Sequence, residues 1–524
     1  MTHTAAQGMV TAPHYLASQS GRDVLAEGGT AIEAAVAMAA TLAVVYPHMN
    51  GIGGDSFWLI SEPDGRVHGI DASGAAALAA TPALYARAGH RTIPWRGGLA
   101  ANTVAGTLSG WQALLLTNDG TLPLARLLRD AIHYANNGIA VTKGWANIAS
   151  SKAAELRDDG YRALFMLDGA PLAEGALFQN PALARTLERL VEGGLRSFYE
   201  GPLAQDVARD LAQAGSPVTA ADLAAHKATT IRPLTVSIRG AQLFNTPPPT
   251  QGMASLLILA LFDRMKADHA DGFAHIHGLV EATKQAFRFR DSHVEDPTAM
   301  TMDCQALLDN PAVLDAMRRD IDPERAAPWG QKPAGGDTVW FGAVDGRGQM
   351  VSAIQSLYFE FGSGVVLPQT GIVWQNRGAS FSLAQTGCNL LRPGRKPFHT
   401  LNPALAKFSD GRVMAYGTMG GEGQPQTQAA LFTRYARFGI PLQEAISAPR
   451  WLLGRTWGEE AAALKLEDRF DPALCAALRA AGHSVEVVEP FSQMMGHAGA
   501  LVRHRDGALE GASDPRSDGA VAAC

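Results

Sequence analysis

The sequence has few cysteines, few charged residues and no excess of positive charge. The four cysteines are widely spaced and form no Cys-x-x-Cys pair, so neither a zinc site nor a disulfide framework is indicated. Charged residues make up 18% of the chain and the net charge is −6, which gives no electrostatic basis for a nucleic-acid partner. Because isolated thiols are typical of reducing compartments, a cytoplasmic location is expected.

The sequence also lacks a long apolar run and a leader-like start. The most apolar stretch, residues 31–46, contains Glu33 and is shorter than the roughly 20 residues that a membrane helix needs. Residues 1–19 show no basic start followed by an apolar segment, so no signal peptide is expected. With 47% hydrophobic residues in a chain of 524, the sequence predicts a large core and no membrane partner.

Glycine is abundant, with 55 residues, and it marks turns between predicted elements. Thr30 with Glu33 forms a capping box that opens a buried helix to about Val45, and two strands, 56–61 and 66–71, follow a glycine loop. Residues 236–246 read as one strand, and 320–336 as an exposed linker. Beyond residue 337, strands dominate the pattern.

Thr338 is the central candidate for chemistry, because it opens a strand directly after Gly335, Gly336 and Asp337. If the chain is cut before Thr338, its hydroxyl becomes a nucleophile that carries its own base, the freed α-amino group, with a pKa of roughly 7.7–8.0. A threonine at the start of a strand is more often structural, so the residue alone does not decide the matter.

Gly420 and Gly421 follow the predicted strand 412–417 and could supply an oxyanion hole. Adjacent glycines allow two backbone N–H groups to converge on the oxygen that becomes negative during acyl transfer. The structural alternative is a tight turn between a strand and a helix.

Taken together, these motifs resemble the gamma-glutamyltransferase family of N-terminal nucleophile hydrolases, and the resemblance runs almost end to end. The matching stretches are Ala17-Ser18-Gln19, Gly28-Gly29, Gly51 to Gly54, Phe198 to Pro202, Pro247-Pro248-Pro249, Thr338, Val344-Asp345, Phe361 to Gly364, Gly420-Gly421 and Asp514-Pro515-Arg516.

The resemblance implies an α+β fold, a four-layer αββα sandwich. It also implies a proenzyme cut between Asp337 and Thr338 into a large subunit, 1–337, and a small subunit, 338–524, which form one intertwined body. Acyl transfer through Thr338, with Gly420 and Gly421 at the oxyanion, would need no metal and no organic cofactor. Ser356 matches a family threonine that contacts the nucleophile. Whether two processed units form a dimer stays open.

The glutamate-binding residues of the family are replaced here. Ser73 stands in place of the arginine for the α-carboxylate, and Tyr358 in place of an asparagine. Ala379 and Ser380 stand in place of two aspartates, one of which binds the α-ammonium. An ammonium buried without its carboxylate costs several kcal/mol. Glutathione is therefore expected to bind poorly.

Arg377 and the pair His399-Thr400 replace a family glutamine and a Ser-Ser motif. An arginine can grip a carboxylate with two hydrogen bonds, so a small carboxylated substrate is expected. The stretch Phe398 to Pro403 resembles that of family members that convert oxamate to oxalate and ammonia, and this resemblance implies oxamate as the substrate. The structural alternatives are a surface ion pair for Arg377 and a core histidine for His399. As whole functions, a gamma-glutamyltransferase or glutathione hydrolase, a glutaryl or cephalosporin-type acylase, and an unprocessed binding protein remain alternatives.

Overall fold

The computed structural model describes residues 3–5, 7–330, 337–454 and 462–524. Two seven-stranded antiparallel sheets face one another, and helices cover the outer face of each. The four layers give the αββα fold predicted from the sequence. Of the predicted linker, 320–336, the described part, 320–330, has no helix or strand and is mostly exposed, and 331–336 lie outside the described residues.

The strands are short and alternate with helices in the N-terminal two thirds of the chain. In chain order they are β1 (His3–Ala5), β2 (Met9–Ala12), β3 (Asp55–Ser61), β4 (Val67–Ala72), β5 (Ile139–Ala140), β6 (Met166–Leu167), β7 (Ala170–Pro171), β8 (Leu177–Phe178), β9 (Thr229–Ile231), β10 (Leu234–Ile238), β11 (Ala241–Asn245), β12 (Asp337–Val344), β13 (Met350–Tyr358), β14 (Val366–Leu367), β15 (Ile372–Val373), β16 (Ala404–Phe408), β17 (Val413–Thr418), β18 (Trp451–Leu453), β19 (Leu464–Glu467), β20 (Val485–Val488), β21 (Ala498–Arg503), β22 (Leu509–Ser513) and β23 (Ala520–Ala523).

The α-helices are α1 (Tyr15–Ala26), α2 (Ala31–Val45), α3 (Pro82–Arg87), α4 (Thr107–Thr117), α5 (Leu124–Asn137), α6 (Lys143–Lys152), α7 (Asp159–Phe165), α8 (Pro181–Gly193), α9 (Pro202–Gln213), α10 (Ala220–Ala225), α11 (Gly252–Asp263), α12 (Phe273–His293), α13 (Cys304–Leu308), α14 (Pro311–Arg319), α15 (Gln424–Phe432), α16 (Leu442–Ser447) and α17 (Pro472–Ala480). Helix α15 continues into a π-helical turn, Thr433–Arg437.

The first sheet has the order β23-β2-β12-β13-β3-β4-β9, and the second has the order β1-β22-β21-β17-β16-β11-β10. An apolar layer that includes Phe57, Trp340 and Leu405 fills the space between the sheets. Each sheet combines strands that precede residue 337 with strands that follow it. The two parts of the chain therefore share both sheets and the core between them.

Helix α2 shows how directly the sequence encodes one outer layer. Thr30 accepts a hydrogen bond from the Glu33 N–H, while the Glu33 carboxylate accepts one from the Thr30 N–H, the predicted capping box. Every residue of α2 is buried, as its all-round apolar pattern predicts. The helix packs against the first sheet and α5.

One predicted element is divided in the structure. The stretch 236–246 is not a single strand but the end of β10, a turn at Arg239-Gly240 and β11. Gly240 has φ of 79°, a conformation that favours glycine and reverses the chain. Strand β11 also pairs with β16, which follows residue 337 in the chain.

Candidate active site

Thr338 lies at an irregularity between β12 and β13. Asp337 pairs with Tyr358 and Val339 pairs with Gln355, so the register shifts at Thr338. The residue is buried, and its Oγ1 donates to Ser356 Oγ over 3.3 Å. Ser356 therefore lies beside Thr338, where the family resemblance puts it.

The loop that contains Gly420 and Gly421, called the glycine loop below, reaches Thr338 from the second sheet. Gly420, after β17, has φ of 120°, and Gly421 begins a short helical turn with φ of 50°. As the first residue of that turn, Gly421 has a backbone N–H with no acceptor in the helix. Helix α15 follows at Gln424, whose Nε2 lies 3.4 Å from Thr338 Oγ1. The turn that carries Gly420 and Gly421 thus ends beside Thr338.

A network of buried polar side chains holds the glycine loop in place. Gln251 Nε2 donates to the carbonyl oxygens of Gly421 and Thr400, over 2.8 and 2.6 Å. Its Oε1 accepts from Arg290, which also pairs with Glu422 at 3.3 Å. Gln251 and Arg290 precede residue 337 in the chain. The residues that they contact, Thr400, Gly421 and Glu422, follow it. Both parts of the chain are therefore needed to support the loop.

Arg377 is buried, contrary to the surface alternative. Its guanidinium lies 4.0 Å over the ring of Tyr358, and one terminal nitrogen donates to Thr400 Oγ1 over 3.2 Å. The other two nitrogens, Nε and Nη2, find no hydrogen-bond partner among the described residues. Burial lowers the pKa of Arg377 to about 10, although Tyr358 and Asp55 favour its charge. The site thus holds a buried cation with free donors.

His399 faces Asp55, and both are fully buried. His399 Nε2 lies 3.5 Å from Asp55 Oδ2, while Asp55 Oδ1 accepts from the N–H groups of Gly74 and Gly106. Burial raises the pKa of Asp55 to about 7. Burial, with a smaller contribution from Arg377, holds the pKa of His399 well below its ordinary value. Near neutral pH, His399 is therefore uncharged, and Asp55 is only partly ionised beside the Arg377 cation.

The hydroxyls of Ser73 and Ser380, two further predicted residues, have hydrogen-bond partners outside the group around Arg377. Ser73 Oγ donates to Asp71 Oδ1 over 2.6 Å, and Asp71 in turn pairs with Lys396 at 2.8 Å. Ser380 Oγ donates to the carbonyl of Phe398 over 3.2 Å. Neither serine contributes a charge where the family has an arginine or an aspartate.

Asp55 and Gln424 did not emerge from the sequence as site residues. The signal for Asp55 is the preceding Gly53-Gly54, because a Cβ on Gly54 would lie 2.1 Å from the Ser356 carbonyl oxygen. Glycine there lets β3 approach β13, where Asp55 pairs with Ser356. For Gln424, the only signal is its position directly after the glycine loop.

One group of side chains in the described ranges has the composition of a metal site: His277, Glu281 and His483. Its donor atoms already have partners. His277 bonds the Asp322 carbonyl and His483, each over 2.9 Å, and Glu281 accepts from Lys284 over 2.6 Å. The group therefore links α12 to the turn before β20 as a hydrogen-bonded cluster. No helix in the described ranges combines the length and apolarity that crossing a membrane requires.

Two facing antiparallel sheets between helical layers, with a strand-opening threonine and a glycine loop at their junction, define the N-terminal nucleophile hydrolase fold. The family model of gamma-glutamyltranspeptidase matches residues 17–524. The chain belongs to the gamma-glutamyltranspeptidase family, whose members are self-processing enzymes that act on amides.

Known relatives are similar along their whole length. The oxamate amidohydrolase proenzyme of Klebsiella pneumoniae is 56% identical over 526 residues, 99% of each chain. The glutathione hydrolase-like YwrD proenzyme of Bacillus subtilis is 41% identical over 518 residues, 98% of each chain. The crystal structure of cephalosporin acylase from Bacillus halodurans superposes with a TM-score of 0.92 at 34% identity, covering 100% of this chain and 97% of that one. The proenzyme names indicate precursors that are cleaved into two chains.

Proposed function

We propose that this chain cuts itself between Asp337 and Thr338 and then hydrolyses oxamate to oxalate and ammonia. The observation that carries the substrate assignment is Arg377, a buried guanidinium with two nitrogens free of partners. Such a group is stabilised by a carboxylate that accepts both hydrogen bonds. The 56% identical relative is named for oxamate, an amide that carries a carboxylate on the adjacent carbon.

The proposed reaction has two steps that share one oxyanion site. Thr338 Oγ attacks the amide carbon while its proton moves to the freed α-amino group, and N–H groups of Gly420 and Gly421 bind the oxyanion. The resulting ammonium gives the proton to the amide nitrogen, and ammonia leaves. Water, activated by the same amine, then splits the oxalyl ester.

The polar side chains around Arg377 suit a small anion. Thr400 holds one end of the guanidinium through its Oγ1, and Tyr358 stacks on its face. His399 is uncharged near neutral pH, and Asp55 is mostly protonated below pH 7, so below that pH the pair does not neutralise the cation in advance. A buried charge with neutral neighbours binds a carboxylate strongly because little solvent competes.

The leading alternative is a gamma-glutamyl substrate, in line with the name of the 41% identical relative. Asp55 Oδ2 has no hydrogen-bond partner among the described residues, and an ionised Asp55 could bind an α-ammonium. Against this, burial raises the pKa of Asp55 to about 7, so at pH 7 only about half of the molecules carry an ionised Asp55. The oxamate assignment needs no ionised Asp55.

A substrate panel on the processed protein separates the two. We expect ammonia release from oxamate with a kcat/KM at least 100-fold above nitroaniline release from a gamma-glutamyl anilide. Preference for the anilide would overturn the oxamate assignment. Intact mass should give two chains divided at 337/338, and Thr338→Ala should stay whole. A wild-type protein that stays one chain after long incubation contradicts the mechanism.

The four cysteines, which form no disulfides, fit the proposed cytoplasmic location.

A further inference from the structure

Gln424 touches the reacting oxygen with one end of its amide and leaves the other end free. It is fully buried, and its Nε2 lies 3.4 Å from Thr338 Oγ1. The Gln424 Oε1 atom is buried and has no hydrogen-bond partner among the described residues. A buried amide oxygen without a donor destabilises the folded protein. A donor that becomes available later in the life of the protein would remove that cost.

The neighbouring glutamines of α15 serve as an internal comparison. Gln426 uses both amide ends on the backbone of Leu453, with Oε1 accepting over 2.8 Å and Nε2 donating over 3.1 Å. Gln428 uses its oxygen on Ser255 and its nitrogen on the Asn402 carbonyl. These two side chains fix the helix in the second sheet's outer layer. Gln424 is the member of the set whose oxygen lacks a partner.

The position of Gln424 is itself rigid. Its backbone begins α15 directly after the turn Gly421–Gly423, and Gly423 N–H donates to the Gly420 carbonyl over 2.7 Å. Glu422 in that turn is held by Arg290. Rotation about the last side-chain torsion exchanges the two amide ends without moving the helix. The amide can therefore present either a donor or an acceptor to Thr338.

We propose that Gln424 serves the nucleophile twice, first as a donor that holds Thr338 Oγ in the uncut chain and then as an acceptor for the freed α-amino group. This assignment rests on the proposed function, because only cleavage before Thr338 creates that amine. One N–H of the amine bonded to Gln424 Oε1 leaves the nitrogen lone pair directed at Oγ–H, which gives up its proton during attack. The same bond stabilises the ammonium that forms. Gln424 is thus assigned as a catalytic residue that sets the strength of the base.

The decisive experiment titrates the amine without any substrate. Competitive acetylation of the small chain's amino terminus at a series of pH values, read by mass spectrometry, gives the pKa of that group. Gln424→Glu places an anion beside the amine, so its pKa should rise by about one unit or more. Gln424→Met keeps the side chain's length without its polar atoms and should lower that pKa. Gln426→Met is the matched control: it removes structural hydrogen bonds and should lower the melting temperature but not shift the amine.

The outcomes separate this inference from the proposed function. Wild-type protein that never divides at 337/338 removes the amine and defeats both. If the protein divides and both Gln424 variants titrate within about 0.3 units of wild type, Gln424 does not bind the amine and the inference alone fails. The rate of cleavage at 337/338 in the two Gln424 variants is a second readout. At least tenfold slower cleavage, or none, at an unchanged melting temperature supports the contact with Oγ, and cleavage at the wild-type rate overturns it.

Discussion

Replacing Arg377 by methionine should raise the stability of the folded protein and strongly lower its activity on oxamate. The guanidinium is buried without a carboxylate, and burial lowers its pKa to about 10. One unit of pKa corresponds to about 1.36 kcal/mol, so the lowered pKa of Arg377 corresponds to about 3 kcal/mol lost from the free energy of unfolding. This loss applies below pH 10, where Arg377 is charged in both the folded and the unfolded protein. Methionine fills similar space and removes this cost.

Part of the gain is offset by contacts that the guanidinium makes. Its hydrogen bond to Thr400 and its stacking on Tyr358 contribute about 1–2 kcal/mol together. The expected net gain is therefore about 1–2 kcal/mol, seen as a higher melting temperature. For oxamate, loss of the buried charge partner should lower kcat/KM by about 10²–10³, mostly through KM.

Oxalate, the proposed product, supplies an independent readout. A ligand at 100 times its Kd stabilises the folded state by about 2.7 kcal/mol, so oxalate should raise the melting temperature of wild type and not that of Arg377→Met. Arg412→Met is the control, because that arginine stacks on Phe408 beside the β16–β17 turn. It should leave kcat/KM unchanged. An unchanged KM in Arg377→Met, with oxalate still raising its melting temperature, would refute the role of Arg377.

Three further predictions concern the groups around Arg377 and the glycine loop. The pKa of Asp55 is about 7, and its ionised form would compete with the substrate carboxylate for Arg377, so the KM for oxamate should rise as the pH rises above 7. In initial-rate profiles from pH 6 to 9, Asp55→Asn should abolish this rise. An unchanged rise in that variant removes Asp55 from the site. Gly420→Ala, at φ of 120°, should lower kcat by about 10²–10³. The control is Gly439→Ala, at φ of 66° and with open space around it, which should only lower the melting temperature. Equal kcat in the two variants contradicts the oxyanion assignment. Asp514→Asn leaves the buried Arg450 without its carboxylate and should cost about 3–5 kcal/mol in urea unfolding of the uncut Thr338→Ala protein; an unchanged midpoint contradicts this.

Local signals in the sequence were enough for individual elements, including the strand that begins beside Thr338. The capping box at Thr30 and the glycine pair at 420–421 act within a few residues, so their positions could be predicted. The pairing of β23 with β2 could not, because it joins Ala520–Ala523 to Met9–Ala12 and depends on the whole fold. Asp55 became a site residue only through the register that puts it opposite Ser356. Whether Arg377 has a carboxylate partner is likewise a property of the packed core.

The arrangement of strands explains how a cut before Thr338 could create an active site without rebuilding it. Strand β12 pairs with β2 on one side through Gly342–Val344 and with β13 on the other along most of its length. Loss of one peptide bond at its first residues leaves these two ladders intact. The contacts of Thr338 Oγ come from Ser356 and Gln424, which both follow the cut. The freed amine would therefore appear between groups that are already in position, so cleavage changes the chemistry of Thr338 more than its place.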